Sequence, residues 1–132
     1  MIVAEPSSCG KTTFISNLIK NNQNLIHPEI EKIIWCTPEP EAFPKNIQFN
    51  NIEFYNNIPE NFSNLRNEKI LIVLDDMMIE TYNKQVCELF TKGSHHRNLS
   101  VILLIQNIFH QGKFLNAKYL VDKYLQKKLV TL

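Results

Sequence analysis

Met1-Ile2-Val3-Ala4-Glu5-Pro6-Ser7-Ser8-Cys9-Gly10-Lys11-Thr12-Thr13-Phe14-Ile15-Ser16-Asn17-Leu18-Ile19 opens the sequence, and its two ends follow different periods. Met1–Ala4 is a short apolar strand. Phe14, Ile15, Leu18 and Ile19 fall at i, i+1, i+4 and i+5, one apolar stripe of a helix over Thr12–Asn21. Working outward, Lys32–Cys36 (KIIWC) is β-branched and aromatic and reads as a strand, and Ile52–Tyr55 reads as another, followed by Pro59. Between them Pro38, Pro40 and Pro44 break any regular element and leave an acidic loop from Glu39 to about Pro44. Lys69–Leu74 (KILIVL) is apolar without alternation, the pattern of a central parallel strand buried on both faces. Tyr82–Lys92 has helical spacing through Val86, Leu89 and Phe90, stopped by Gly93. Leu99–Ile105 is a second continuous apolar strand. Strands alternating with helices predict an α/β domain with a mainly parallel sheet flanked by helices.

The polar segment between the first strand and the first helix carries chemistry. Glu5-Pro6-Ser7-Ser8-Cys9-Gly10-Lys11-Thr12 matches the second half of the Walker A pattern GxxxxGK[ST], in the strand–loop–helix context that pattern needs. Backbone N–H groups from Ser7 to Thr13 would point at a β-phosphate, helped by the helix dipole. Gly10 lets the chain pass close to phosphates, Lys11 places a compact ammonium between the β- and γ-phosphates, and Thr12 supplies a hydroxyl to Mg2+. Glu5 departs from the pattern, standing where its first Gly belongs. The plain alternative is a chance Gly-Lys-Thr at an ordinary helix start.

Ile70-Leu71-Ile72-Val73-Leu74-Asp75-Asp76 has the Walker B form, an apolar strand ending in two carboxylates. Ligands of open parallel sheets sit outside the carboxyl ends of the strands, where these two residues fall. Asp75 is the candidate Mg2+ ligand and Asp76 the candidate base or water-orienting group. Read structurally, the pair would only cap the following helix. Strand Leu99–Ile105 ends at Gln106-Asn107, and an amide there can report on a γ-phosphate; the alternative is a strand end satisfied by its own loop. Before that strand lies Ser94-His95-His96-Arg97. The two His lack further ligands at metal spacing and read as a solvated turn. Arg97 is a candidate for acting in trans on a neighbour's γ-phosphate, or a plain surface Arg. The lone Trp35 reads as core rather than as a base-stacking platform.

Composition bounds these readings. The chain has 132 residues, is 44% hydrophobic and 20% charged, and has a net charge of +1, which describes one ordered domain and excludes a dedicated basic nucleic-acid module. Its apolar runs Ile70–Leu74 and Val101–Ile105 are about a quarter of the ~20 residues a bilayer requires, so no membrane partner is expected. No charged segment followed by an apolar stretch opens the sequence, so no secretory signal is expected. Cys9, Cys36 and Cys87 form neither a disulfide framework nor a CxxC pair, which points to a reducing intracellular compartment, cytoplasm or nucleus. The small net charge is a cancellation between an acidic stretch from Glu29 to Glu60 and a Lys-rich one from His110 onward. Those lysines suit either double-stranded DNA or a solvated helix face.

Together these residues resemble the ATPase domain of DNA-packaging ATPases of the FtsK–HerA superfamily, nearest to the poxvirus-type enzymes of Polinton/Maverick elements, adintoviruses and related large DNA viruses. The likeness is carried by IVAEPSSCGKTTFISNLI, KIIWC, LIVLDDMM and above all FTKGSHHRNLSVILLIQNIFHQGK, and covers about residues 1–121. It implies a P-loop NTPase of RecA-like fold that assembles as a homo-oligomeric ring and uses ATP and Mg2+ to drive double-stranded DNA into capsids. It implies a sensor at Gln106, a trans finger at Arg97, and nucleotide and Mg2+ positions at Lys11, Thr12, Asp75 and Asp76.

The C-terminal part departs from the family. Phe114-Leu115 runs almost directly into Asn116-Ala117-Lys118-Tyr119-Leu120-Val121, and Ala117, Leu120, Val121, Tyr124, Leu125 and Leu129 follow a helical stripe. The spacing predicts an amphipathic helix over Leu115–Lys128, against an alternative strand at Lys118–Val121. With the helix, the sheet would lack its last family strand and the domain would be truncated. The expected function is therefore ATP binding with Mg-dependent hydrolysis. The alternatives are a degenerate nucleotide-binding remnant without turnover and a small-molecule kinase, for which the chain offers only Arg66 and Arg97 as lid arginines.

Overall fold

Ile2–Ala4 (β1), Lys32–Cys36 (β2), Ile52–Tyr55 (β3), Ile70–Asp75 (β4), Leu99–Ile105 (β5) and Leu129–Val130 (β6) form a single sheet in the order β3-β2-β4-β5-β1-β6. Every pairing in it is parallel. The computed structural model describes residues 2–4, 10–26, 29–59, 68–77, Leu89, 98–105 and 129–130. Among these, Lys11–Lys20 forms helix α1 and Asn22–Leu25 a single further turn, α2. The domain is thus an α/β domain built on a parallel sheet, as the alternation of strand and helix patterns predicts.

β4 occupies the middle because all six of its residues are buried, and a strand covered on both faces needs apolar side chains at every position rather than alternate ones. Ile70, Ile72 and Leu74 pack on one face with Ile34, Cys36, Val101 and Leu103, where Ile58, Met77 and Leu89 also contribute. Leu71 and Val73 pack on the other face with Val3, Trp35, Ile102 and Leu104. Ile15 and Ile19 of α1 cover that second face, with Phe14 and Leu18 at its margin. Each such aliphatic side chain removed from water contributes about 1.5–3 kcal/mol before the entropy of ordering is deducted.

The other edge of the sheet is held by polar contacts. Lys32 pairs with Glu53 at 2.7 Å, and the Tyr55 hydroxyl donates to the same carboxylate at 2.7 Å. The backbone N–H of Lys69 donates to Glu31 Oε2 at 2.8 Å. The last of these joins the residues that precede β2 and β4, at the edge opposite the carboxyl ends.

Four differences from the sequence reading have physical causes. α1 begins at Lys11, one residue early, because Gly10 already takes the cap position. β4 runs through Asp75, whose backbone pairs with Leu104 and continues the ladder. Pro40–Ala42 forms one 3-10 turn inside the acidic loop; Pro at the start of a short helix loses no needed donor. Beyond β1 the sheet does have a further strand, at Leu129–Val130, so Leu129 belongs to a ladder with Ile2 and not to a helical stripe; the alternative strand at Lys118–Val121 lies outside the described residues. Pairing with Leu129–Val130 gives β1 a second neighbour and spares it an open edge. The expected helices at Tyr82–Lys92 (apart from Leu89) and Leu115–Lys128 lie outside the described residues. Among the described residues, no helix is long and apolar enough to cross a membrane.

Candidate functional site

Strand register brings the two motifs to one edge. Ala4, the last residue of β1, pairs with Ile105, and Asp75, the last of β4, pairs with Leu104. The carboxyl ends of β1, β5 and β4 are therefore level within one residue, with β5 in the middle. Parallel strands make this edge the place where a ligand meets loop backbone and helix N-terminus together.

Gly10 opens α1 at φ 89 and ψ 16, in the left-handed region. A Cβ on it would meet nothing within 4 Å, so backbone conformation rather than crowding favours glycine here. Gly10 has no side chain to cap α1 and no acidic residue lies in the first turn, so among the described residues this helix start keeps its positive dipole end. Lys11, Ile15 and Ile19 fall at i, i+4 and i+8 and all are buried. The stem of Lys11 is thus laid along the sheet-facing stripe. Thr12 and Thr13 are exposed; the Ser16 hydroxyl donates to the Thr12 carbonyl at 2.7 Å.

Across from α1, Asp75 shares a face with Leu71 and Val73 by strand alternation, which is the α1 face. It is only 8% exposed. Burial pushes its carboxyl up to about 6, and the neighbouring Asp76 adds to this; the Trp35 hydrogen bond and the Lys11 charge act in the opposite sense. The Trp35 indole N–H donates to Asp75 Oδ2 at 3.3 Å. Asp76 is half-buried, stands at φ 48, and donates its backbone N–H to the Leu104 carbonyl at 3.1 Å.

Of the residues singled out from the sequence, the structure brings Gly10, Lys11, Asp75 and Asp76 to one edge and places Thr12 and Thr13 in the first turn of α1. Glu5, Ser7, Ser8, Cys9, His95, His96, Arg97 and Gln106 lie outside the described residues. Among the described residues, no three or more His, Cys, Asp or Glu side chains gather as a metal cluster. The oxygen donors that the sequence reading names for a cation, Thr12, Asp75 and Asp76, are of the type a hard divalent cation takes.

Sequence reasoning missed Trp35 as a partner of the site. A strand-borne Trp with its ring in the core needs an acceptor for its N–H, which the sequence signals; that the acceptor is Asp75 follows only from the pairing of β2 with β4. Thr37, 2% exposed just past the end of β2, also went unread. Its amide donates to the Tyr55 carbonyl at 3.0 Å and extends the pairing of β2 with β3.

No protein-family model, curated protein or solved structure matches the chain.

Proposed function

We propose that this domain is a P-loop NTPase that binds ATP with Mg2+ at the carboxyl edge of the sheet and hydrolyses it, in the manner of the DNA-packaging ATPases its motifs resemble. The observation that carries the reading is a shared edge. The motifs lie more than sixty residues apart in the chain, yet β1 and β4 end level within one residue of β5, and α1, which starts at Lys11, packs Ile15 and Ile19 on the sheet face from which Asp75 projects. A chance Gly-Lys-Thr has no reason to start a helix over the sheet face that carries the Walker B aspartates.

In this reading the first turn of α1 binds the phosphates through its N–H groups, and Lys11 offsets γ-phosphate charge from a largely dehydrated position. Asp75 and Thr12 would hold Mg2+, which supplies charge neutralisation at the β- and γ-oxygens. Asp76, half-buried just past the end of β4, orients the attacking water. β5 ends between β1 and β4, so a residue just beyond Ile105, where the sequence has Gln106, is suited to sense the γ-phosphate. Arg97 acting in trans within a homo-oligomeric ring, and double-stranded DNA as the polymer moved, belong to the same proposal.

Thermal denaturation with and without Mg-ATP, beside phosphate release, tests it. Ligand at about 100 times Kd adds roughly 2.7 kcal/mol to the parent and much less to Lys11→Ala. A parent protein whose stability ignores Mg-ATP defeats the proposal. A shift without phosphate release at any protein concentration identifies a nucleotide-binding domain that does not turn over. Specific activity that rises with protein concentration is expected for a trans Arg97, and activity indifferent to dilution removes that part.

A further inference from the structure

β2 and β4 are neighbours, with Trp35 opposite Val73, so Trp35 and Asp75 project from the same face of adjoining strands. Trp35 is fully buried among Val3, Ile15, Leu71 and Val73. Its ring cannot follow a carboxylate that turns away, because close-packed neighbours fix its rotamer. Indole is a donor only, so the 3.3 Å contact binds Asp75 Oδ2 as an acceptor. Oδ1 is not part of that bond. A carboxylate held by one oxygen in this way favours the orientation that keeps Oδ2 toward the indole.

We propose that Trp35 is a positioning residue for Asp75: its indole N–H ties Oδ2 and leaves Oδ1 as the oxygen available to a divalent cation. This rests on the nucleotide reading above, and adds to it a residue outside both Walker motifs. Outer partners of metal ligands commonly change metal affinity by about 10–100-fold when removed. The competing account is that Asp75 merely satisfies a buried indole.

Trp35→Phe keeps the aromatic bulk and deletes the donor. The expected result is that the Mg2+ concentration for half-maximal binding of a fluorescent ATP analogue, read by anisotropy, rises about tenfold, while binding of the metal-free analogue is unchanged. In an Asp75→Asn background the same substitution should change the Mg2+ dependence no further, since that variant offers the cation no anionic oxygen for the indole to position. An unchanged Mg2+ requirement in Trp35→Phe overturns the proposal, as does an equal effect in both backgrounds. The parent chain supplies a second measurement that needs no folded variant. As the only Trp in the sequence, Trp35 gives a single indole N–H resonance in a 15N-labelled sample. Mg-ATP should move that resonance and ATP with EDTA should not; no movement in a parent that demonstrably binds Mg-ATP overturns the positioning role alone. A parent that binds no Mg-ATP by anisotropy overturns the nucleotide reading and this proposal with it.

Discussion

The backbone N–H of Asp76 donates to the carbonyl of Leu104 at 3.1 Å, and Asp76 itself stands at φ 48. The bond carries the β4–β5 pairing one residue past the last strand residue, and the left-handed twist then turns the chain out of the sheet. The two aspartates are separated by this geometry. Asp75 stays in the ladder and points into the α1 face, whereas Asp76 is half-buried at the rim. Adjacent carboxylates thereby acquire different surroundings, which suits one to a cation and the other to water.

Asp76→Asn should therefore preserve the fold while removing turnover. Asn tolerates the left-handed region nearly as well as Asp, so thermal stability should stay within about 0.5 kcal/mol of the parent. Phosphate release should fall about 10²–10⁴-fold, the usual range for loss of a general base, with Mg-ATP binding retained. Asp76→Val, which resists positive φ, should instead cost about 1–2 kcal/mol in a melt. Full turnover in Asp76→Asn would remove Asp76 from the mechanism.

Gly10→Ala isolates backbone conformation from crowding, because a Cβ there meets nothing within 4 Å while φ is +89. The expected loss is about 1–2 kcal/mol, arising from strain alone. Gly10→Asn should lose less, since Asn visits this region more readily. Urea denaturation of the three proteins without nucleotide checks the order. An Ala variant as stable as the parent would mean that the loop relaxes to negative φ at no cost.

Much of the fold is readable in the residues because single positions leave few choices. KILIVL cannot be a half-exposed strand, and Phe14, Ile15, Leu18 and Ile19 cannot all face a core except on a helix. The site is readable only in part. Gly-Lys-Thr and Leu-Asp-Asp announce themselves by type and spacing, but the Trp35–Asp75 contact depends on which strands are neighbours and on their register. That is a long-range property no local period encodes. Leu129 shows the opposite failure. It satisfies a helical stripe by position, and an apolar pair beside β1 still gains more from strand pairing than from extending that stripe.

Cys36 should be chemically silent in the folded protein. It is fully buried, and burial pushes its thiol up to about 12; the thiolate, which is the reactive form, is then scarce at pH 8. With Cys9 and Cys87 replaced by Ser, alkylation at pH 8 should proceed only as fast as the chain opens, and urea should make it rapid. Fast labelling under native conditions would contradict the packing of this face of the sheet.

Asp75 should make the nucleotide-free protein less stable as pH rises through weakly acidic values. Its carboxyl lies at about 6 in the folded chain against an ordinary 3.8, raised first by burial. Between those values the folded state holds a proton that the unfolded state has released. The contribution is fully present below about pH 4 and is lost as pH rises through about 6. Asp75→Asn removes the titration yet keeps an acceptor for the Trp35 indole. The variant and parent should melt alike near pH 4, whereas near pH 7.5 the variant should be the more stable by about 1–2 kcal/mol, a full two-unit shift reduced for residual solvent. Paired melts across pH 4–8 without Mg2+ measure the difference directly. A variant that is less stable than the parent at pH 7.5 would mean that Lys11 and Trp35 already stabilise the ionised carboxylate by more than its burial costs.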